Sequence, residues 1–224
     1  MGRNSLSAGG ITAWISVATF LSGCEILPFT YPDTATRTQL ETIPYVAMAR
    51  SALWVRAPTA LTASTRALPG FIEQRAVFDN NTVLTGDNFM LLQALSAPDL
   101  ADARFSYAAF RRRVATLPAP FGDLDTGNLL TGTDALGPYF WAEERLGATT
   151  LCVLGLRRLT SGMRQIPQGY DAIDLMLRNC TTGDITEALA PMRAASVSGF
   201  LPLGPEQTGD DDRMMSPLAA PTPQ

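Results

Sequence analysis

Two apolar, β-compatible runs, residues 149–156 and 172–179, each bring a cysteine to the ends of a strand pair, Cys152 and Cys180, and this constrains the fold more than any other feature of the chain. The second run sets Ile173, Leu175 and Leu177 against Asp174, Met176 and Arg178, the period of two that a strand requires. Antiparallel pairing with Cys152 opposite Cys180 puts Arg158 opposite Asp174 and Leu156 opposite Met176. One register thus joins two cysteines, an ion pair and an apolar contact as cross-strand partners.

Further strand signals precede this pair. Residues 46–56 are apolar and β-compatible and stop before Pro58; residues 71–78 run into Asp79-Asn80-Asn81, a turn cluster that predicts a β-hairpin around Asn80. After Gly86-Asp87-Asn88, the run Phe89-Met90-Leu91-Leu92 is read as a buried strand, although periodicity alone does not separate it from a helix start. Over residues 101–115, Ala103, Tyr107, Phe110 and Val114 recur at helical spacing while Arg104 and Arg111-Arg112-Arg113 fall mainly elsewhere, predicting a helix that Pro118 ends. Asp184 and Glu187 have capping-box spacing and open a second short helix over 185–190, before Pro191. The expected fold is α+β: a single domain over residues 43–200, of mainly antiparallel strands with two or so short helices.

The ends of the 224-residue chain read differently. A polar start with Arg3, an apolar stretch from Ala8 to Leu21 and then Leu21-Ser22-Gly23-Cys24 follow the order of a cleaved secretory signal peptide, residues 1–23. The stretch is shorter than the roughly 20 apolar residues of a spanning helix. Leu21-Ser22-Gly23-Cys24 resembles the bacterial lipobox, which implies that Cys24 is acylated; the alternative is a plain secreted protein with Cys24 an ordinary thiol. Glu25, where an Asp would suggest inner-membrane retention, implies the periplasmic face of the outer membrane. Lipidation of Cys24 would leave Cys152 and Cys180, an even number in a disulfide-permissive compartment, so a disulfide is expected and two buried thiols are the alternative. Residues 24–42, with Pro28 and Pro32, read as a lipid-anchored linker, and residues 201–224, with five prolines and Asp210-Asp211-Asp212, as a disordered tail.

Composition narrows the chemistry. All 17 basic residues are arginine, with no lysine and no histidine, which excludes a histidine triad, a Schiff base and a histidine-ligated metal. A net charge of -4 argues against nucleic acid as a partner. Two carboxylates alone could serve a glycoside hydrolase; Asp123, Asp125, Glu143 and Glu144 are the candidates, but Glu143 and Glu144 would point opposite ways on a strand. The segment from Asp123 to Asp134 resembles a calcium loop only faintly, because Asn128 stands where glycine is required. Arg111-Arg112-Arg113 reads as a solvated helix face rather than an anion grip. No catalytic residue, metal ligand or cofactor is assigned. Tyr139-Phe140-Trp141 is the one cluster singled out for contact with a glycan or partner, since aromatic faces stack on sugar rings; core packing is the competing role.

Three stretches, Gly137-Pro138-Tyr139-Phe140-Trp141-Ala142, Thr150-Leu151-Cys152-Val153 and Ile173-Asp174-Leu175-Met176-Leu177-Arg178-Asn179-Cys180, resemble the C-terminal half of the BcsN family, lipoproteins of alphaproteobacterial cellulose operons. Gly86-Asp87-Asn88-Phe89 is similar to that family's Gly-Glu-Asn segment, and the lipobox also fits. Gly155-Leu156-Arg157-Arg158 departs from it where glutamines are expected. The resemblance implies a non-enzymatic accessory role in cellulose (exopolysaccharide) biosynthesis and export, with subunits of the cellulose synthase and export complex as partners and no catalytic residues. A carboxylate-only envelope glycan hydrolase and a general scaffolding lipoprotein are the alternatives.

Overall fold

The computed structural model describes residues 35–96 and 104–197. The signal segment, Cys24, the start of the linker and the tail 201–224 lie outside them. The described residues form one antiparallel sheet of eight strands with short helices on both faces, the α+β architecture expected.

In chain order the elements are α1 (Arg37–Thr42), β1 (Val46–Met48), β2 (Thr62–Leu68), β3 (Phe71–Phe78), β4 (Asn88–Leu95), α2 (Tyr107–Arg112), β5 (Leu130–Asp134), β6 (Gly137–Leu146), β7 (Thr150–Thr160), β8 (Ala172–Thr181), α3 (Ile185–Leu189) and α4 (Ala194–Val197). Strand order is β1-β2-β3-β4-β8-β7-β6-β5. Two four-stranded meanders therefore each run from an edge to the centre, where β4 pairs β8.

The β7–β8 register is the one expected: Cys152 lies opposite Cys180, Leu156 opposite Met176 and Arg158 opposite Asp174, and the two cysteines form a disulfide. The alternation of β8 has a different meaning from the usual one of buried against solvated. All eleven residues of β7 and eight of the ten in β8 are buried, because both faces of the sheet are covered. On one face Met90, Leu92, Leu151, Val153, Leu159, Ile173, Leu175 and Leu177 meet Leu53, Trp54, Leu189, Met192 and Val197. On the other, Leu91, Leu154, Leu156 and Met176 meet Phe110, Val114, Leu117 and Phe121 from α2 and the chain after it.

Local chemistry sets the element ends. Phe71–Phe78 forms as expected, and the 79–87 connection is held by Asn80, whose amide donates to the carbonyls of Leu84 and Gly86 and accepts from Thr82. Asp184 caps α3 through the Glu187 N–H at 2.9 Å. Gly155, mid-strand in β7, lets the sheet approach the segment before α4: a Cβ there would lie 2.0 Å from Met192 Sδ.

Three expectations change. The long strand over 46–56 is a three-residue edge strand, β1, after which a helical turn drops Leu53, Trp54 and Val55 onto the sheet. Within 101–115 the helix spans only Tyr107–Arg112, with Ser106 as its cap and Arg113 closing it. Residues 35–42, expected in the linker, form α1 with a Thr36/Gln39 capping box, and Ala35 and Leu40 pack on Leu68, Phe71 and Leu95. The packed chain thus includes residues from Ala35 on, ahead of Ile43.

Candidate functional site

The face covered by α2 carries a row of polar side chains straight across five strands. Arg66 of β2 lies opposite Glu73 of β3, Glu73 opposite Gln93 of β4, Gln93 opposite Asp174 of β8, and Asp174 opposite Arg158 of β7. Directly opposed residues share a face, so the register alone lines these groups up. Arg66 Nε donates to Glu73 Oε2 at 2.5 Å and Tyr45 Oη to the same oxygen at 2.9 Å; Gln93 Nε2 donates to Glu73 Oε1 at 2.8 Å. Arg113, just past α2, donates from Nε to Gln93 Oε1 and from its guanidinium to Asp174. Arg158 grips Asp174 with both Nε and a terminal nitrogen, at 2.7 and 2.8 Å. Asp174 and Gln93 are completely buried, and burial is tolerable here because every carboxylate oxygen is occupied.

The balance of charge along the row is uneven. Glu73 faces one arginine, whereas Asp174 is shared by two, Arg113 and Arg158, so that among the described residues two guanidiniums share one carboxylate at that end. Burial lowers the pKa of Arg113; the Asp174 carboxylate opposes this, and the neighbouring Arg158 and Arg112 add to it. Burial, and then the Glu73 carboxylate, push the Tyr45 phenol well above its ordinary value, so it stays a proton donor.

At the Arg158 end the row opens into a cavity of about 760 Å³, lined by strands β5, β6 and β7 and by the chain at Arg104 and Phe105. Thr131 lies opposite Phe140 and Thr133 opposite Pro138, so these side chains share the face of Arg158. Phe105 stacks on Phe140 with centroids 5.9 Å apart. Arg158 closes the floor, and its remaining nitrogen donates to the Arg104 carbonyl at 3.4 Å. The size is that of a small-molecule site.

The residues singled out from sequence scatter across this frame. Tyr139, Phe140 and Trp141 are consecutive in β6, so they alternate between faces and form no single platform. Tyr139 is buried in the opposite core, where it lies across Gly132 of β5 and next to Trp141, with Arg157 and Arg193 over its ring. Phe140 alone lines the cavity. Glu143 and Glu144 are exposed and face opposite ways, opposite Val153 and Cys152. Asp125 caps a helical turn through the Thr126 N–H, and Asp134 binds Arg157, so the faint calcium loop does not converge; among the described residues no group of three metal-ligating side chains comes together. Arg113 leaves the expected solvated face to join the buried row, its charge drawn inward by Asp174. Cys152 and Cys180 lie on the cavity's face of the sheet, away from its lining.

Arg66, Glu73 and Gln93 were not anticipated. The signal that could have found them is the spacing of Glu73 and Gln93 about the 79–87 loop, which pairs them once a nine-residue connection is assumed. A second lock involves residues that carry the family resemblance. Arg178 of β8 donates to the carbonyls of Gly86 and Asp87, and the Asn88 side chain bonds both the N–H and the C=O of Cys180. No protein-family model matches the chain, and no curated protein and no solved structure matches it either.

Proposed function

We propose that the chain is a BcsN-type lipoprotein, a non-enzymatic accessory of bacterial cellulose or related exopolysaccharide synthesis and export, anchored through acylated Cys24 to the periplasmic face of the outer membrane and acting beside the synthase and exporter subunits. The observation that carries the reading is the meeting of two of the resembling segments: Gly86-Asp87-Asn88 and Arg178-Asn179-Cys180 lie some 90 residues apart and hold each other through the Arg178 and Asn88 contacts. Residues that serve one contact are expected to occur together, which favours a shared fold behind the resemblance. The use of acidic residues supports the non-enzymatic part, because the buried carboxylates Glu73 and Asp174 are saturated by arginine, tyrosine and glutamine, and Glu143 and Glu144 diverge. A glycosidase needs two carboxyls facing one cleft.

Mild-detergent capture of the lipidated protein from its native membranes, with mass spectrometry of its partners and of the Cys24 peptide, tests the reading. Cellulose synthase or exporter subunits together with a diacylglyceryl-modified Cys24 are expected. An acylated Cys24 with no such subunits would keep the anchor and overturn the cellulose role. Deletion should lower exported polymer while synthase turnover in isolated membranes is unchanged.

A further inference from the structure

We infer that the cavity at the Arg158 end of the charged row binds an acidic saccharide, a short run of pyranose units bearing carboxylates. The cationic heads in its lining are guanidiniums, which donate hydrogen bonds and accept none. Arg158 brings to the floor the excess charge of two arginines on one aspartate, and Arg104 stands exposed at the rim with no ion pair among the described residues. Among the described residues, none that lines it is acidic. A neutral sugar needs acceptors for its hydroxyl protons, and carboxylates or amides usually supply them; the charged groups of this site only donate and so match a ligand with charged acceptors.

The remaining walls select a sugar over a bare anion. The Phe105 and Phe140 rings provide the apolar surface that the C–H face of a pyranose covers. Thr131, Thr133 and Thr160 provide hydroxyls that donate or accept as the ring hydroxyls require. A volume of about 760 Å³ holds more than one ring. The inference stands apart from the cellulose reading, since it rests on the cavity alone and is tested by direct binding.

The test is calorimetric titration of the full-length protein in detergent with β-1,4-linked tetraglucuronate, cellotetraose and inorganic phosphate. The two tetrasaccharides share a backbone and differ in their carboxylates. Tetraglucuronate should bind at a single site at least about tenfold more tightly than cellotetraose, the worth of one charge-assisted contact. Arg104→Gln, a change at an exposed side chain, should weaken tetraglucuronate by about tenfold without moving the melting temperature, and Phe105→Ala should weaken it as well. Equal affinity for the two tetrasaccharides, no binding of tetraglucuronate, or an unchanged affinity in Arg104→Gln would overturn the proposal. Phosphate binding as tightly as tetraglucuronate would reduce the site to a general anion site and overturn its saccharide character.

Discussion

The two faces of the sheet bury arginine in different ways. On the face packed by α3 and α4, Arg157 is completely buried and meets one carboxylate, Asp134, through two 3.0 Å hydrogen bonds, with the carbonyls of Leu136 and Met192 taking the other bonds of its terminal nitrogens. That site is balanced one to one, with Arg157 enclosed and Asp134 at its edge. On the face packed by α2, Asp174 holds two arginines, is linked through Arg113 and Gln93 to a second ion pair, and one of its arginines, Arg158, lines a cavity. The Arg157–Asp134 pair matches one guanidinium to one carboxylate, whereas at Asp174 two guanidiniums share one carboxylate beside a cavity. The first arrangement ties β5 and β7 to the turn at Leu136 and to the chain from Met192 to the start of α4, while the second has a charge left over for a ligand.

The sharpest way to break this comparison is to remove each carboxylate. Asp174→Asn leaves two arginines without their shared anion, and a loss of about 3–5 kcal/mol in urea unfolding is expected, the usual consequence of breaking a buried ion pair. Asp134→Asn should cost less, because Arg157 keeps two backbone carbonyls and Asp134 is partly reached by solvent. Equal losses would mean that the surplus charge on the Asp174 side has no structural weight.

Next comes the disulfide, which lies on the α2 face. It closes a loop with a sequence separation of 28 residues, so Cys152→Ser with Cys180→Ser should cost about 3–4 kcal/mol in the chain-entropy account, measured against the oxidised protein. Below it stands Gly155→Ala, which acts on the other face by forcing Met192 aside; about 1–3 kcal/mol is expected. Met192→Ala in the same chain should recover part of that loss, since it removes the atoms that the new methyl meets.

How much of this was legible in the sequence follows from how far apart the interacting residues are. The β7–β8 pair was readable because Cys152, Leu156 and Arg158 each find a chemically suitable partner under one register. The extra strands were not: β2 is Thr-Ala-Ser-Thr-Arg-Ala-Leu, without an apolar run, and it holds its place by pairing β3 across Pro69-Gly70. The contact of Gln93 with the Asp174 row depends on β4 meeting β8 across some 80 residues, and no local pattern encodes that. The aromatic triplet misled for a related reason. Three neighbouring aromatics look like one surface in sequence, but a strand distributes them to two faces, and burial on both faces hides the alternation that would have exposed this.

The smallest effect separates the faces by pH. Burial alone would raise the Asp134 carboxyl, but hydrogen bonds from Arg157 and from the backbone N–H groups of Leu136 and Ala194 outweigh it and hold the pKa below the ordinary carboxylate range. A depressed native pKa means that the unfolded chain takes up the proton first as pH falls. The stabilisation is therefore fully present above the ordinary aspartate value of about 4, and it is lost as pH drops from there through the lower native value. In acid titrations of unfolding free energy, Asp134→Asn should flatten part of the decline below about pH 4 and leave the curve's shape near neutrality unchanged. If the variant keeps the full acid slope, the Arg157–Asp134 contact does not titrate with folding, and the enclosed face owes its stability to packing alone.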